Sequence, residues 1–438
     1  MMANNNHKAK ITVIVTVHNA EKYLEECLDS IAAQTFSEIE ILCMDGGSRD
    51  NSPQILRRYE ERDNRIRIIN DTNTSYGHKV NEGIRQARGK YISVLESDDM
   101  YQPDMLRQLY EIAEKYHVDY ANADYLNFFD IGGKRFKTLV KMYPESDYGK
   151  RLESGKHPED MRQILRYWTG IFRREFLTQK EIWMNESPGA SFQDMSFRFL
   201  TSALADTSYH LNIPVYLYRV DNPESSVYDP GKAVVIADEF DFLKAELLGR
   251  NIKNKYIWKH FYVWKYNDFY GNLIRFGETA RKALFDRCYD ELEKDRENLQ
   301  ILEGASNSNA ILTLLNKSKE EVWEQIEQAF SGKRNQDRKL WEFLNRLGDN
   351  EIVIFGCGIR GKAVLDYLQS ADMEKQLCCF TDNSEKLWNT ERKGHMILPP
   401  AEAAKLYPSA LFIIANKDHG DEIFRQLSGY GVENTIRF

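Results

Sequence analysis

Residues 90–104 read KYISVLESDDMYQPD. Tyr91 to Leu95 is a run of apolar and β-branched residues suited to a short buried strand, and Pro103 marks the start of a helix. Three carboxylates, Glu96, Asp98 and Asp99, therefore collect where a strand gives way to a loop. Oxygen donors there suit a hard cation such as Mg²⁺ or Mn²⁺, which takes one or two carboxylates and completes its shell with phosphates and water. A solvated acidic turn has the same composition, so the flanking chain has to decide.

Upstream, strand and helix patterns alternate. ITVIVTV (11–17) precedes a helix with Tyr23, Leu24, Cys27, Leu28 and Ile31 on one face, for which Asn19 is a candidate cap. IEILCM (39–44) follows, then a helix from Pro53, the strand RIRII (65–69) and a helix carrying Val80, Ile84 and Ala87. Downstream of the acidic stretch, Leu106, Leu109, Ile112, Ala113 and Tyr116 recur at helical spacing before a strand at 120–125. Repeated β-α units imply an α/β fold with a largely parallel sheet covered on both faces.

In such sheets ligands bind beyond the carboxyl ends of the strands. The polar residues fall there: Thr16, His18 and Asn19 after the first strand, Asp45 to Asp50 after the second, and Asn73, Gly77, His78, Lys79 and Asn81 after the third. The fourth strand ends in the acidic stretch. Residues 130–165 are polar and broken, and RYWTGIFRREFL (166–177) crowds aromatics. A turn at Pro188–Gly189 leads to a helix beginning near Asp194, and IPVYLYR (213–219) reads as a strand. Between 232 and 345 the pattern is helical and aromatic-rich, ending in a charged connector. From Glu351 a strand, the glycines Gly356, Gly358 and Gly361, a helix and a second strand ending at Asp382 form a small Rossmann-like unit. The expected domains are thus 1–231, 232–345 and 346–438.

A length of 438 residues suits about three domains. A net charge of −8 gives no electrostatic reason to expect nucleic acid, so anionic substrates would need a local cation. The six cysteines form no CxxC pair, and no apolar run approaches the ~20 residues of a membrane span. A cytoplasmic chain, at most peripheral at the inner face of a membrane, is expected.

Several stretches in order resemble glycosyltransferase family 2, inverting enzymes of the GT-A fold that use nucleotide sugars: TVHNAEKYLEECLDSI, MDGGSRDNS, YGHKVNEGIRQARGKYISVLESDD, FQDMSF and YRVDNPESS. The resemblance implies a donor site of Thr16, His18, Asn19, Asp45, Lys79, Asn81, Glu96 and Ser97, with Asp98 and Asp99 on a Mn²⁺ or Mg²⁺ ion. It implies Asp194 as catalytic base and a UDP-sugar or related donor. A glycan or lipid-linked saccharide of a bacterial surface polysaccharide is the implied acceptor, with Trp168 and Gln193 as its candidate contacts. Two departures stand out: Gly46 replaces the second acid of the family's strand-two motif, and Glu96 replaces the first Asp of its metal motif.

Each residue has a plainer reading. Asp194 could cap a helix, Asp45 and Asn19 could shape turns, Trp168 could be core, and His18 and His78 could be hydrogen-bonded loop residues. The C-terminal unit binds NAD or another nucleotide through Gly356, Gly358, Gly361 and Asp382, is a scaffold, or mediates assembly into a homo-oligomer. An NAD-linked sugar oxidoreductase is accordingly the alternative function.

Overall fold

The computed structural model describes residues 9–131, 134–153, 164–222, 224–225, 229–273, 276–302, 317–330, 347, 350–370, 373–416 and 419–438. Much of the expected connector (331–345) lies outside the described residues, as do 154–163 and parts of YRVDNPESS. The chain divides into two compact units, residues 1–126 with 139–334 and residues 127–138 with 335–438.

In the first unit the alternating elements are β1 (Ile11–Val17), α1 (Leu24–Ala32), β2 (Ile39–Asp45), α2 (Ser52–Arg62), β3 (Ile66–Asn70), α3 (Tyr76–Gln86), β4 (Tyr91–Glu96), β5 (Met100–Tyr101) and α4 (Met105–Tyr116). They are followed by β6 (Tyr120–Ile131), β7 (Lys134–Val140), β8 (Arg151–Leu152), β9 (Gly170–Arg173), α5 (Arg174–Gln179), α6 (Asp194–Leu204) and β10 (Ser208–Arg219), of which residues 127–138 of β6 and β7 group with the second unit. The main sheet runs β3-β2-β1-β4-β9-β6-β10-β5, with β7 beside β6 and β8 beside β10. The pairs β3-β2, β2-β1 and β1-β4 are parallel, whereas β9 runs antiparallel to both β4 and β6.

Every residue of β1 and β2 is buried, as a sheet covered on both faces requires. The predicted face of α1 packs inward through Leu24, Cys27, Leu28 and Ile31. α4 buries Leu106, Leu109 and Ala113 and ends at His117, whose φ of 51° lies in the left-handed region that stops a helix. Asn19 does not cap α1, which begins five residues later, at Leu24, with Tyr23 in the cap position. The strand read at 120–125 is the start of β6, which runs on to Ile131 and pairs with β7, whereas β7 and the short β9 were not read from the sequence.

Register aligns the site. Thr16 pairs with Glu96 across β1–β4, Val17 with Asp45 across β1–β2, and Asp45 with Asn70 across β2–β3. The carboxyl ends of four strands therefore finish level.

The helices α7 (Val235–Gly249), α8 (Lys255–Leu273), α9 (Glu278–Asp295) and Lys319–Phe330 share one hydrophobic core with this sheet unit instead of forming a region of their own. The aromatic wealth of α8 explains this: Phe261 and Trp264 pack against Phe199 of α6, and Phe240 of α7 meets Phe261. Lys265 is fully buried and held by Asp295 at 2.7 Å and Glu291 at 3.2 Å, with Lys244 closing on Asp295 at 2.6 Å. Such a charge is tolerable inside only because it is paired.

In the second unit, β11 (Ile352–Phe355), β12 (Leu377–Thr381), β13 (Thr390–Arg392), β14 (His395–Leu398), β15 (Leu411–Ile414) and β16 (Thr435–Arg437) form a sheet in the order β13-β14-β12-β11-β15-β16. All its pairs are parallel except β13–β14.

Candidate active site

The β1 and β2 loops are stitched together by the residues that the sequence offered for donor binding. Asn19 donates its backbone N–H to Ser48 Oγ at 2.9 Å and accepts from Arg49 N on its side-chain oxygen at 2.8 Å. His18 Nδ1 lies 3.1 Å from the Gly46 carbonyl. Asp45 is buried, and one of its oxygens accepts from Ser48 N at 3.0 Å. Asn19, His18 and Asp45 thus shape the turn, whatever else they touch.

Lys79 is also committed to this floor. Its ammonium donates to the carbonyl oxygens of Asn73 at 2.7 Å and Ser75 at 3.4 Å, and burial lowers its pKa against the opposing charges of Asp71 and Asp45. The side chain passes so close to Gly46 that a Cβ there would sit 2.5 Å from Lys79 Cε. The absence of an acid at 46 therefore has a steric counterpart: Lys79 fills the space. Asn81 is buried and spent on structure, exchanging bonds with the Met184 backbone at 2.9 Å and donating to Glu186 at 3.0 Å, so it is not presented to a donor.

At the end of β4 the four residues of the acidic turn separate into different roles. Glu96 accepts hydrogen bonds from the hydroxyls of Tyr76 and Tyr167, and Thr16 Oγ1 reaches it at 3.4 Å. Burial pushes the Glu96 carboxyl up to about 7; the two tyrosines oppose the shift, while Asp98 and Asp194 add to it. Ser97 is partly exposed at the turn. Asp98 accepts from Asn222 Nδ2 at 2.7 Å, and burial raises its pKa.

Asp99 turns inward and is no candidate metal ligand. It is almost fully buried, with one oxygen accepting from the Tyr216 hydroxyl at 2.8 Å and the other from Arg219 N at 2.7 Å. Burial, followed by the neighbouring Asp98, holds its carboxyl well above the usual range. Arg219 completes the brace by donating to the Asp98 carbonyl at 2.9 Å and to Glu26 at 2.6 Å.

Among the described residues no group of three His, Cys, Asp or Glu side chains is placed to hold a metal. Of the two adjacent aspartates in the turn, Asp98 stays partly exposed while Asp99 is buried.

Asp194 opens α6 inside its first turn; the cap position belongs to Gln193, whose side chain makes no capping bond. Arg198, one turn on, donates to Asp194 Oδ2 at 3.1 Å and to the Leu165 carbonyl at 3.0 Å, and its guanidinium lies 5.4 Å from the Trp264 ring. The charge of Asp194 raises the pKa of Glu96, Tyr76 and Tyr167, so it belongs to the same electrostatic environment as the end of β4.

Neither candidate acceptor contact is offered to a ligand. Gln193 is buried and its amide is consumed inside the 185–193 loop, accepting from Ser191 N at 2.5 Å and donating to Ser187 O at 3.3 Å and Gly189 O at 3.0 Å. Trp168 is 8% exposed, stacked 5.2 Å from Tyr218 and met edge-on by Tyr125 at 4.7 Å, which makes it core.

Loop 185–193 is bound to the segment that leads into α3. Tyr76 N donates to Gly189 O at 2.8 Å, and Gly189 N donates to Thr74 O at 3.1 Å. A Cβ on Gly77 would fall 1.9 Å from the Asn185 carbonyl oxygen. Gly77→Ala is therefore expected to prise α3 from this loop, costing about 1–3 kcal/mol of stability and at least tenfold in activity. A thermal melt and nucleotide release by the same preparation measure both effects, and wild-type values in each would refute the close packing.

In the second unit Asp382 is not presented to a ribose. Its carboxylate accepts from Cys357 N at 2.8 Å and Ser384 N at 2.9 Å, so it closes the turn that holds Gly356, Gly358 and Gly361. Arg392 caps the Cys357 carbonyl, and Arg360 donates to the Phe438 carbonyl at 2.7 Å. The NAD reading loses its ribose contact.

Sequence reasoning missed Tyr76, Tyr167, Arg198, Arg219, Asn222 and Glu239. Tyr76, Tyr167, Arg219 and Asn222 carried a signal, because they stand inside stretches already singled out.

Residues 12–184 match the family model described as glycosyl transferase family 2. Over this segment the chain is similar to family 2 glycosyltransferases. The match ends before Asp194. The chain is similar to the uncharacterized glycosyltransferase EpsJ of Bacillus subtilis, 31% identical over 226 residues covering 51% of this chain and 64% of EpsJ. It is also similar to the glycosyltransferase GlyA of Streptococcus pneumoniae, 30% identical over 216 residues covering 48% of this chain and 30% of GlyA. Both matches span less than two thirds of the relative's length. Among solved structures, S. aureus TarS 1–349 in complex with UDP-GlcNAc superimposes with a TM-score of 0.55 at 18% identity, covering 75% of this chain and 93% of that one. At that identity the likeness concerns the fold, a GT-A-type mixed α/β sheet.

Proposed function

We propose that this protein is an inverting glycosyltransferase that moves a sugar from a nucleoside-diphosphate sugar, with UDP the first base to test, to a hydroxyl of a glycan or lipid-linked saccharide. The observation that carries the proposal is the level finish of β1, β2 and β4, which brings Asp45, Glu96 and Asp98 to one edge, with Asp194 in the same electrostatic environment.

In this reading the acceptor oxygen attacks the anomeric carbon as the bond to the diphosphate oxygen breaks. The acceptor proton passes to Asp194, and the nucleoside diphosphate departs with the bonding pair. Arg198 keeps Asp194 aimed. Asp98 would hold a Mg²⁺ or Mn²⁺ ion, which when bound supplies charge neutralisation for the leaving diphosphate. Glu96, held by two tyrosines, fixes the wall beneath the donor instead of reaching out to it.

Two relatives carry glycosyltransferase names, and the TarS structure holds UDP-GlcNAc. A surface-polysaccharide role at the inner face of the membrane extends this reading. No described helix is long and apolar enough to cross a membrane.

A screen of UDP-, GDP- and dTDP-sugars with Mn²⁺ or Mg²⁺, following nucleotide release, tests the proposal. Release from at least one donor, stimulated by a saccharide acceptor, is expected. Release from none would overturn it.

A further inference from the structure

Past the segment that matches the family, one buried acid faces the base loop from a different element. Glu239 of α7 is 1% exposed. Its Oε1 accepts from Asn185 Nδ2 at 3.0 Å and Ser187 Oγ at 2.8 Å, and its Oε2 is buried with no hydrogen-bond partner among the described residues. Asn185 and Ser187 belong to the loop that Gln193 ties from within, where Asn185 N donates to Gln193 O at 3.1 Å. One side of that loop is therefore held by its own glutamine, and the other by a carboxyl on α7.

A carboxylate with an unpartnered buried oxygen is costly, whereas the neutral acid is much less so. Burial pushes the Glu239 carboxyl up to about 7; the bonds from Ser187 and Asn185 act downward, and the charges of Asp194 and Asp238 act upward. The charged groups around it are Asp194 on α6, which pairs with Arg198, and Asp238 on its own helix, which Arg287 of α9 approaches at 3.5 Å. No cation is recorded on Glu239 itself among the described residues.

We propose that Glu239 is a positioning residue for the transfer, acting as a neutral carboxylic acid that fixes loop 185–193 and through it the aim of Asp194. The idea rests on Asp194 being the base. The sign follows from the raised folded-state value: the brace is present in full at low pH and is lost as pH rises through about 7, when a second anion forms beside Asp194.

The test uses the full chain with Glu239→Ala and Glu239→Gln, read by amide hydrogen exchange of residues 185–193 and by kcat for nucleotide release. Glu239→Ala is expected to speed exchange in the loop at least tenfold and to lower kcat at least tenfold, with donor KM unchanged. Glu239→Gln, which keeps the size and stays neutral, is expected to restore both at pH 6. It should also remove the loss of loop protection that the wild type shows between pH 6 and 8 once intrinsic exchange rates are divided out. Exchange and kcat within twofold of wild type in Glu239→Ala would overturn the proposal. So would a Glu239→Gln variant as impaired as Glu239→Ala at pH 6, or wild-type protection that is flat from pH 6 to 8. Exchange reports on the loop whether or not any donor is turned over. A wild type that releases no nucleotide would therefore defeat the glycosyltransferase reading while leaving the brace separately measurable.

Discussion

Asp194→Asn is expected to lower kcat for transfer by roughly 10²–10⁴, the usual contribution of a general base, while the Kd for UDP stays within twofold of wild type. The asymmetry follows from placement. Asp194 sits in the first turn of α6, held by Arg198 and outside the matched segment 12–184. Asparagine preserves the shape and can still meet Arg198 through its carbonyl oxygen, but it cannot take the acceptor proton. Single-turnover transfer together with calorimetric UDP binding separates the two effects. Full transfer activity in Asp194→Asn would remove the base assignment, and a parallel collapse of UDP binding would recast Asp194 as part of the donor site.

Asp98→Ala is expected to abolish metal stimulation and to lower kcat/KM by about 10²-fold or more, since changes merely in a ligand's supporting partners already cost 10–100-fold in metal affinity or activity. Its stability should change little, because the Arg219 bond to residue 98 is made to the backbone carbonyl and survives the substitution. Asp99→Ala, next door, should behave in the opposite way. It strands the Tyr216 hydroxyl and the Arg219 amide in the interior, costing about 2 kcal/mol or more, and it reaches the metal only through loss of the brace. Measuring thermal midpoints and Mn²⁺ dependence for both variants distinguishes ligand from brace. Turnover that is insensitive to chelator and unchanged in Asp98→Ala would exclude a metal at this position.

The Asp98 and Asp99 pair shows why neighbouring residues of one type cannot be sorted from sequence. The two acids follow β4 in a turn closed by Asp99 N on the Glu96 carbonyl at 3.1 Å, and there Asp99 is buried while Asp98 stays partly exposed. Which is which depends on β10, whose Tyr216 and Arg219 arrive from more than a hundred residues away. Trp168, Gln193 and Asn81 carry the same lesson. Each has the chemistry of a ligand contact; Trp168 and Asn81 are consumed by partners that only the fold brings near, and Gln193 by the backbone of its own loop.

By itself the sequence determined the β-α order of the first unit, the four strand ends where polar residues collect, and the small parallel sheet of the second. These depend on local periodicity and on turn residues, which act over a few positions. Tertiary structure alone decided that α7 to α9 share the core of the sheet unit, that Asp98 stands at the edge while Asp99 braces it, and that Glu239 reaches the loop of Asp194. Those outcomes rest on desolvation and hydrogen bonding between residues far apart in the chain. A carboxyl becomes ligand, base or brace according to which donors and charges the folded chain sets around it.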